Sequence, residues 1–349
     1  MSKGIIFTKA SGLNDSAFGK SQEPIRAIIN DQVEAWEVKS QLENIFCMES
    51  TKNFAEKFTS ETAIGGFKPV GENGAYPDTS FQEGFSKIIE PEEWKNRFSV
   101  TKTMLEDNKI SKVKSMSNEF TDSYCRTREQ FGAALLAGGI GSKIIFEGKE
   151  FDVTCADKTP LFNAAHPSKT KGSKLTQSNM FKGKFCVKVM DKVQEYMQDY
   201  RDEDGNLLAV MPDTIIIPND SELKRAVFAA IGSEKDAETN KNAINFQVGL
   251  WNVLIWPFLP KTLNGKPYFM MMDSQFNKNH LCAPWLDRVK LSVHSYVDEN
   301  TDANIFKGRA RFGAGFNNFR FIAICGEGFT GGTDLTSLYS TGTDSGSNP

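Results

Sequence analysis

Ile110, Val113, Ser117, Phe120, Tyr124, Thr127, Phe131 and Leu135 advance along the chain in steps of 3, 4, 3, 4, 3, 4 and 4. That rhythm holds one face of an α-helix against a partner surface. Over about 29 residues, at 1.5 Å per residue, the helix runs roughly 43 Å. The spacing also suits a coiled coil, but one such segment with polar residues in its stripe makes a weak zipper, so a helix laid across a sheet is expected. Gly138-Gly139 follows, which predicts a left-handed C-terminal cap.

A second segment is as distinctive and has no helical period. Residues 61–105 contain TAIGGFKPVGENGAYPDTSFQEGF, where glycines and two prolines interleave with aromatics. It is too long for a turn and too aromatic for a linker. Phe98, Val100 and Met104 then fall on alternate positions, as in a half-buried strand. We expect a two-stranded excursion that leaves the body and returns, and that needs another surface because a lone hairpin is marginal in water.

The remaining pattern is an α/β mixture. Ile25, Ile29, Val33 and Trp36 share a helical face, with Pro24 suited to the first turn. Leu42, Ile45, Phe46, Phe54 and Phe58 continue less regularly. Residues 144–154 predict a hairpin turning at Glu147-Gly148. Phe185, Val189, Val193, Tyr196 and Tyr200 predict an amphipathic helix. Ile215–Ile217 predicts a buried strand, Ser221–Ile231 a helix, and Leu250–Phe258 and Tyr268–Met272 strands about a KTLNGK turn. Val289, Leu291 and Val293, then Arg309–Phe316 and Phe319–Ile324, predict a closing sheet. Residues 331–349 are Gly, Ser, Thr and Asp with few apolar groups and predict a flexible tail.

Composition excludes several functions. The 349 residues carry 41 basic and 44 acidic side chains, a net charge of −3, which speaks against a polybasic nucleic-acid binder. The strongest apolar run, Leu250–Leu259, is interrupted by Asn252 and Pro257 and is about half a membrane span. The N-terminus has no secretory pattern. Six cysteines stand 78, 30, 31, 96 and 43 residues apart with no CxxC pair, which favours reduced thiols over a zinc or disulfide framework.

Chemical motifs are few. Gly326-Glu-Gly-Phe-Thr-Gly331 has the GxGxxG spacing, but only 18 residues follow, too few for a dinucleotide unit, so it reads as a loop. Gly138-Gly-Ile-Gly-Ser-Lys143 has the wrong order for a phosphate loop. Of the three histidines His166, His280 and His294, only His280 has a cysteine, Cys282, close by, and no partner pair completes a metal site. His166 is expected on the surface or at a contact, and Glu92-Glu93 in a solvated turn. No catalytic set and no cofactor are expected. Residues 158–188 hold seven lysines and no acid, while 190–204 hold six acids against Lys192 and Arg201. The lysines, Lys169, Lys171 and Lys174 among them, could face phosphates or the acidic stretch of another copy.

Three stretches carry a resemblance: SKIIEPEEWKNRFSVTKTMLEDN at 86–108, MPDTIIIPND at 211–220, and APWLDRVKLSVHSYVDEN with FKGRARFGAGFNNFRFIAICG at 283–326. With the order of elements, they resemble the major capsid proteins of tailed bacteriophages, of HK97-like fold, and within them the Mu-type major head subunit. The resemblance implies an α+β chain: N-arm 1–60, E-loop 61–105, P-domain 106–184 with spine helix 110–138, A-domain 185–275, P-domain return strands 276–326 and tail 327–349. It implies pentamers and hexamers in an icosahedral shell within the virion, after assembly in the host cytoplasm. Implied partners are further copies of the chain, a scaffolding protein, a portal protein and packaged double-stranded DNA, with no membrane. Lys68, Tyr76, Phe81 and Phe85 would make E-loop contacts between subunits. An encapsulin-type compartment and an α/β enzyme are the rival readings.

Overall fold

The computed structural model describes residues 18–37, 39–61, 69–70, 76, 83–107, 110–168, 176–203, 205–232 and 245–339. The chain begins with helix α1 (Phe18–Glu37), a short α2 (Leu42–Ile45) and strand β1 (Cys47–Ser50). Strands β2 (Glu56–Glu61), β3 (Glu83–Ile89) and β4 (Glu92–Val100) follow, then α3 (Lys102–Glu106) and the long α4 (Ile110–Ala137). Next come the hairpin β5 (Lys143–Phe146) and β6 (Lys149–Asp152), then β7 (His166–Pro167), β8 (Thr176–Gln177) and β9 (Met180–Lys182). The α/β segment is α5 (Val187–Gln198), β10 (Thr214–Pro218), α6 (Ser221–Gly232), β11 (Asn252–Trp256), β12 (Tyr268–Met272) and α7 (Ser274–His280). Strands β13 (Pro284–Asp298), β14 (Ala303–Ala314), β15 (Ile322–Gly326) and β16 (Thr333–Asp334) close the chain.

Two sheets organise these elements. Four strands run in the order β1-β13-β14-β4, and six in the order β11-β10-β12-β15-β9-β16. Helix α4 lies across the first sheet with its predicted stripe inward: Val113, Ser117, Phe120, Phe131 and Leu135 are buried. The two polar stripe positions cost little, because Ser117 and Thr127 donate their hydroxyls to the carbonyls of Val113 and Ser123 one turn back. Phe120 meets Phe98, while Phe131 meets Trp94, Trp285 and Phe312 from three strands of the sheet. Gly308 makes room for the helix, since a Cβ there would stand 2.5 Å from Phe120 Cζ.

Several expectations are corrected. Gly138-Gly139 form no left-handed cap; α4 tightens into a 3-10 turn over Gly138–Ile140. Close packing explains these glycines, because a Cβ on Gly138 would lie 2.0 Å from Ile144 Cγ2. Pro24 falls inside α1 rather than in its first turn. The excursion starts at Glu56 and its return strand ends at Ile89. Residues 92–100 instead pair with β14 along the body, and Met104 belongs to α3. Glu92 and Glu93 therefore lie on a strand and not in a turn, with Glu92 paired to Lys149 at 2.6 Å and Glu93 to Arg309. Among the return strands, β15 lies in the six-stranded sheet between β12 and β9, because all five of its residues are buried and an edge would expose them. The tail is tied down as far as Tyr339: β16 pairs with β9, and Phe329 and Leu335 are buried. Residues 340–349 lie outside the described residues.

Other expectations hold. Glu147 and Gly148 both take left-handed backbone at φ 48° and 77°, the geometry of a two-residue hairpin turn. Val189, Val193 and Tyr200 are buried along α5 and its exit. Gly326 ends β15 and Gly328 sits in the turn that follows it, where a Cβ on Gly328 would press within 2.7 Å of the Leu263 carbonyl.

Candidate functional site

Among the described residues, three surfaces stand out. The first is the β2–β3 excursion. Its root is held by Lys87, which is 9% exposed and whose Nζ donates to Asp152 Oδ2 at 2.5 Å and to Thr154 Oγ1 at 3.1 Å. Burial opposes the Asp152 charge, but the hydrogen bonds from Lys87 and Thr154 outweigh it and hold the carboxyl below its ordinary value. Lys87 is thus committed within its own subunit. Further out, Tyr76 is 96% exposed, Val70 is also exposed and Phe85 is half-buried, while Ile88 beside the root is exposed too. Lys68 and Phe81 lie outside the described residues.

The second surface surrounds the basic loop between β7 and β8, which pair antiparallel and form its legs. Lys169, Lys171 and Lys174 lie outside the described residues. Ser168 donates to Glu203 at 2.7 Å, and Arg320 to the other Glu203 oxygen at 3.1 Å. Gln177 and Arg201 exchange hydrogen bonds of 2.9 and 2.8 Å. Part of the acidic stretch therefore packs on the legs of the loop within one subunit. His166, expected at the surface, is buried at 1% against Phe319, because Asp157, Thr159 and Asn179 supply its polar partners.

A third surface was not anticipated from the sequence. Phe228, Phe246, Val248, Leu250 and Phe258 are exposed in or beside α6 and β11. Gln247 is fully buried and bonds Asp191, Gln194 and Trp251. That inward anchor turns its neighbours Phe246 and Val248 outward. The alternation Phe246, Val248, Leu250 was the available signal, and it was obscured by the strand that begins just after it.

The polar interior is structural. Arg128 bridges Tyr124 and Asp287 at 2.9 Å each and lies over the Trp285 ring. Glu129 accepts from Ser40, from the Gln41 amide and from Trp256, tying α2 and β11 to α4. Burial pushes the Cys125 thiol up to about 12 and those of Cys155 and Cys282 well above the ordinary range, which disfavours their thiolate forms. Among the described residues no group of three His, Cys, Asp or Glu side chains is placed to hold a metal ion. His280 lies against Phe276, and Cys282 is buried. No described helix is long and apolar enough to cross a membrane.

Comparison with known proteins agrees with this arrangement. No curated protein matches the chain. A structure from Mycobacterium phage Patience is similar at a TM-score of 0.54 and 13% identity, covering 98% of this chain and 94% of the other. The capsid of Ralstonia phage GP4 is similar at 0.53 and 12%, covering 82% of this chain and 88% of the other. Both share the α+β, HK97-like fold. The family model described as phage capsid protein matches residues 84–325, more than half the chain and nearly all of both sheets. The chain belongs to the phage capsid protein family: it is a structural protein of the virion shell and not an enzyme.

Proposed function

We propose that this chain is the major head subunit of a tailed phage, assembling as pentamers and hexamers into an icosahedral shell around double-stranded DNA. The observation that carries this reading is the β2–β3 excursion, rooted in its own subunit by Lys87 yet presenting Tyr76 and Ile88 to solvent. A strand pair with so little body of its own gains stability by lying on a neighbouring copy. Contacts of that head-to-tail kind close into rings. In this reading the excursion is the E-loop, with Lys68, Tyr76, Phe81 and Phe85 at the contact. The four-stranded sheet and α4 form the P-domain, and the six-stranded sheet with α5 and α6 forms most of the A-domain. The resemblance of residues 86–108, 211–220 and 283–326 to the Mu-type head subunit supports that subfamily. A scaffolding protein and a portal protein complete the partner set.

Electron microscopy and sedimentation of the purified chain, with scaffold where needed, test the proposal. Shells of five- and six-fold capsomers are expected, DNA-filled when taken from virions. Small shells enclosing protein cargo would indicate a compartment instead, and a monomer of 38.9 kDa under every assembly condition would defeat the reading.

A further inference from the structure

His166 has no part in the assembly reading, yet its hydrogen bonds fix its protonation. The ring stacks on Phe319 with centroids 3.6 Å apart and planes 6° from parallel. Nε2 lies 3.1 Å from Asn179 Oδ1. The orientation of that amide is over-determined: Nδ2 donates to Leu161 O at 2.7 Å and Ile322 O at 3.1 Å, and Oδ1 accepts from the Asn163 amide at 2.9 Å. Turning the amide over would set its NH2 against an N–H and its oxygen against two carbonyls. The atom facing Nε2 is therefore an acceptor, and Nε2 must donate. Nδ1 faces Asp157 Oδ2 at 2.7 Å and Thr159 Oγ1 at 2.9 Å. The Thr159 hydroxyl gives its proton to Asp157 Oδ1 at 2.8 Å. Nδ1 is left with a carboxylate oxygen and a hydroxyl lone pair, so it donates as well. A neutral imidazole has only one N–H.

We infer that His166 is a buried imidazolium, ion-paired with Asp157, and that it latches together the two legs of the basic loop. Nε2–H reaches Asn179, just beyond β8, while Nδ1–H reaches back to Asp157, so one ring joins three separate stretches of chain. A buried charge is tolerated when it is paired and hydrogen-bonded, and a cation against an aromatic face gains further. Burial opposes the Asp157 charge, but the bonds from His166 and Thr159 outweigh it and hold the carboxyl below its ordinary value. The other titratable groups packed on Phe319 are Tyr200, edge-on at 6.2 Å, and Arg320, 4.9 Å from the ring centroid and neutralised by Glu203.

His280 and His294 are exposed, so a chain carrying H280Q and H294Q keeps His166 as its sole histidine without disturbing the core. With 15N-labelled histidine at about pH 7.5, both ring nitrogens should give the protonated NMR shift that the hydrogen-bond geometry requires. A lone-pair nitrogen signal would overturn the imidazolium. In a second arm, D157N should accelerate amide exchange in residues 160–168 and 176–182 by about fivefold or more, with β10 unchanged. Unchanged exchange, or an acceleration that includes β10, would overturn the latch. The single-histidine spectrum decides the protonation state however D157N folds.

Discussion

Phe131 is the side chain on which most of the first sheet's packing converges. It is 1% exposed and touches Trp94, Phe146, Phe151, Trp285 and Phe312. Truncation to Ala leaves a ring-sized void that rigid aromatic neighbours cannot fill, so F131A should lose about 3–5 kcal/mol in urea unfolding. A loss under about 1 kcal/mol would mean the cluster relaxes freely. Gly308 poses the opposite problem. The added methyl of G308A meets Phe120 end-on and should destabilise by about 1–3 kcal/mol through overpacking. G232A, where a Cβ meets nothing within 4 Å, serves as its control. The thiols offer a third check: Cys186 is partly exposed and the other five cysteines are buried. A thiol reagent should label one site rapidly in the native protein and six after denaturation, and rapid labelling of several native sites would contradict the packing.

At the scale of elements, the excursion separates from the body. Among the described residues, its strands β2 and β3 pair only with each other, and neither sheet of the body includes them. Deleting residues 71–84 should therefore leave native circular dichroism while abolishing stable shells in light scattering. An unfolded deletion variant would assign the tip to the core, and intact shells would make it dispensable. The elements with strong internal period were legible in the sequence: α4 from its stripe, the β5–β6 hairpin from Glu147-Gly148, and β10, α6 and β12 from their apolar runs. What escaped the sequence depends on partners far away in it. Residues 92–100 alternate as any strand does, and only β14 reveals that they belong to the body. The burial of His166 rests on Phe319 and Asn179, and the anchoring of 327–339 on β9. Of the candidate contact residues, Tyr76 is exposed and Phe85 half-buried, while Lys87 is withdrawn into an internal ion pair that its place in the excursion did not suggest.

For the whole molecule, two outcomes follow from where its charges lie. If Lys169, Lys171 and Lys174 face the packaged genome, changing all three to Gln should lower DNA retention and spare empty-shell assembly. A loss of assembly that grows at low salt, where surface charges are least screened, would instead mark contact with an acidic neighbour. If they meet a neighbouring subunit, assembly itself should weaken. No change in either assay would remove the loop from both roles. Covalent joining of subunits through Lys87 is not expected, since its amine is held by Asp152 and Thr154. Denatured virions should run as a single band near 38.9 kDa, and a ladder would reverse that expectation.

The order of the first sheet also sets a timetable. Strand β1 pairs with β13 and β4 with β14, and the Trp94 indole bonds a carbonyl 218 residues further along the chain. On a ribosome adding about 5–20 residues per second, β4 waits roughly 10–45 s for that partner to emerge. Throughout that interval the surface beneath α4 has no floor, and its rings are open to chaperones or to other nascent chains. Contacts this distant in sequence also form slowly once both halves exist. The subunit thus stays unfinished until its last strands appear. Half-made chains lack the completed first sheet, so whole subunits are the first species in which that core is closed.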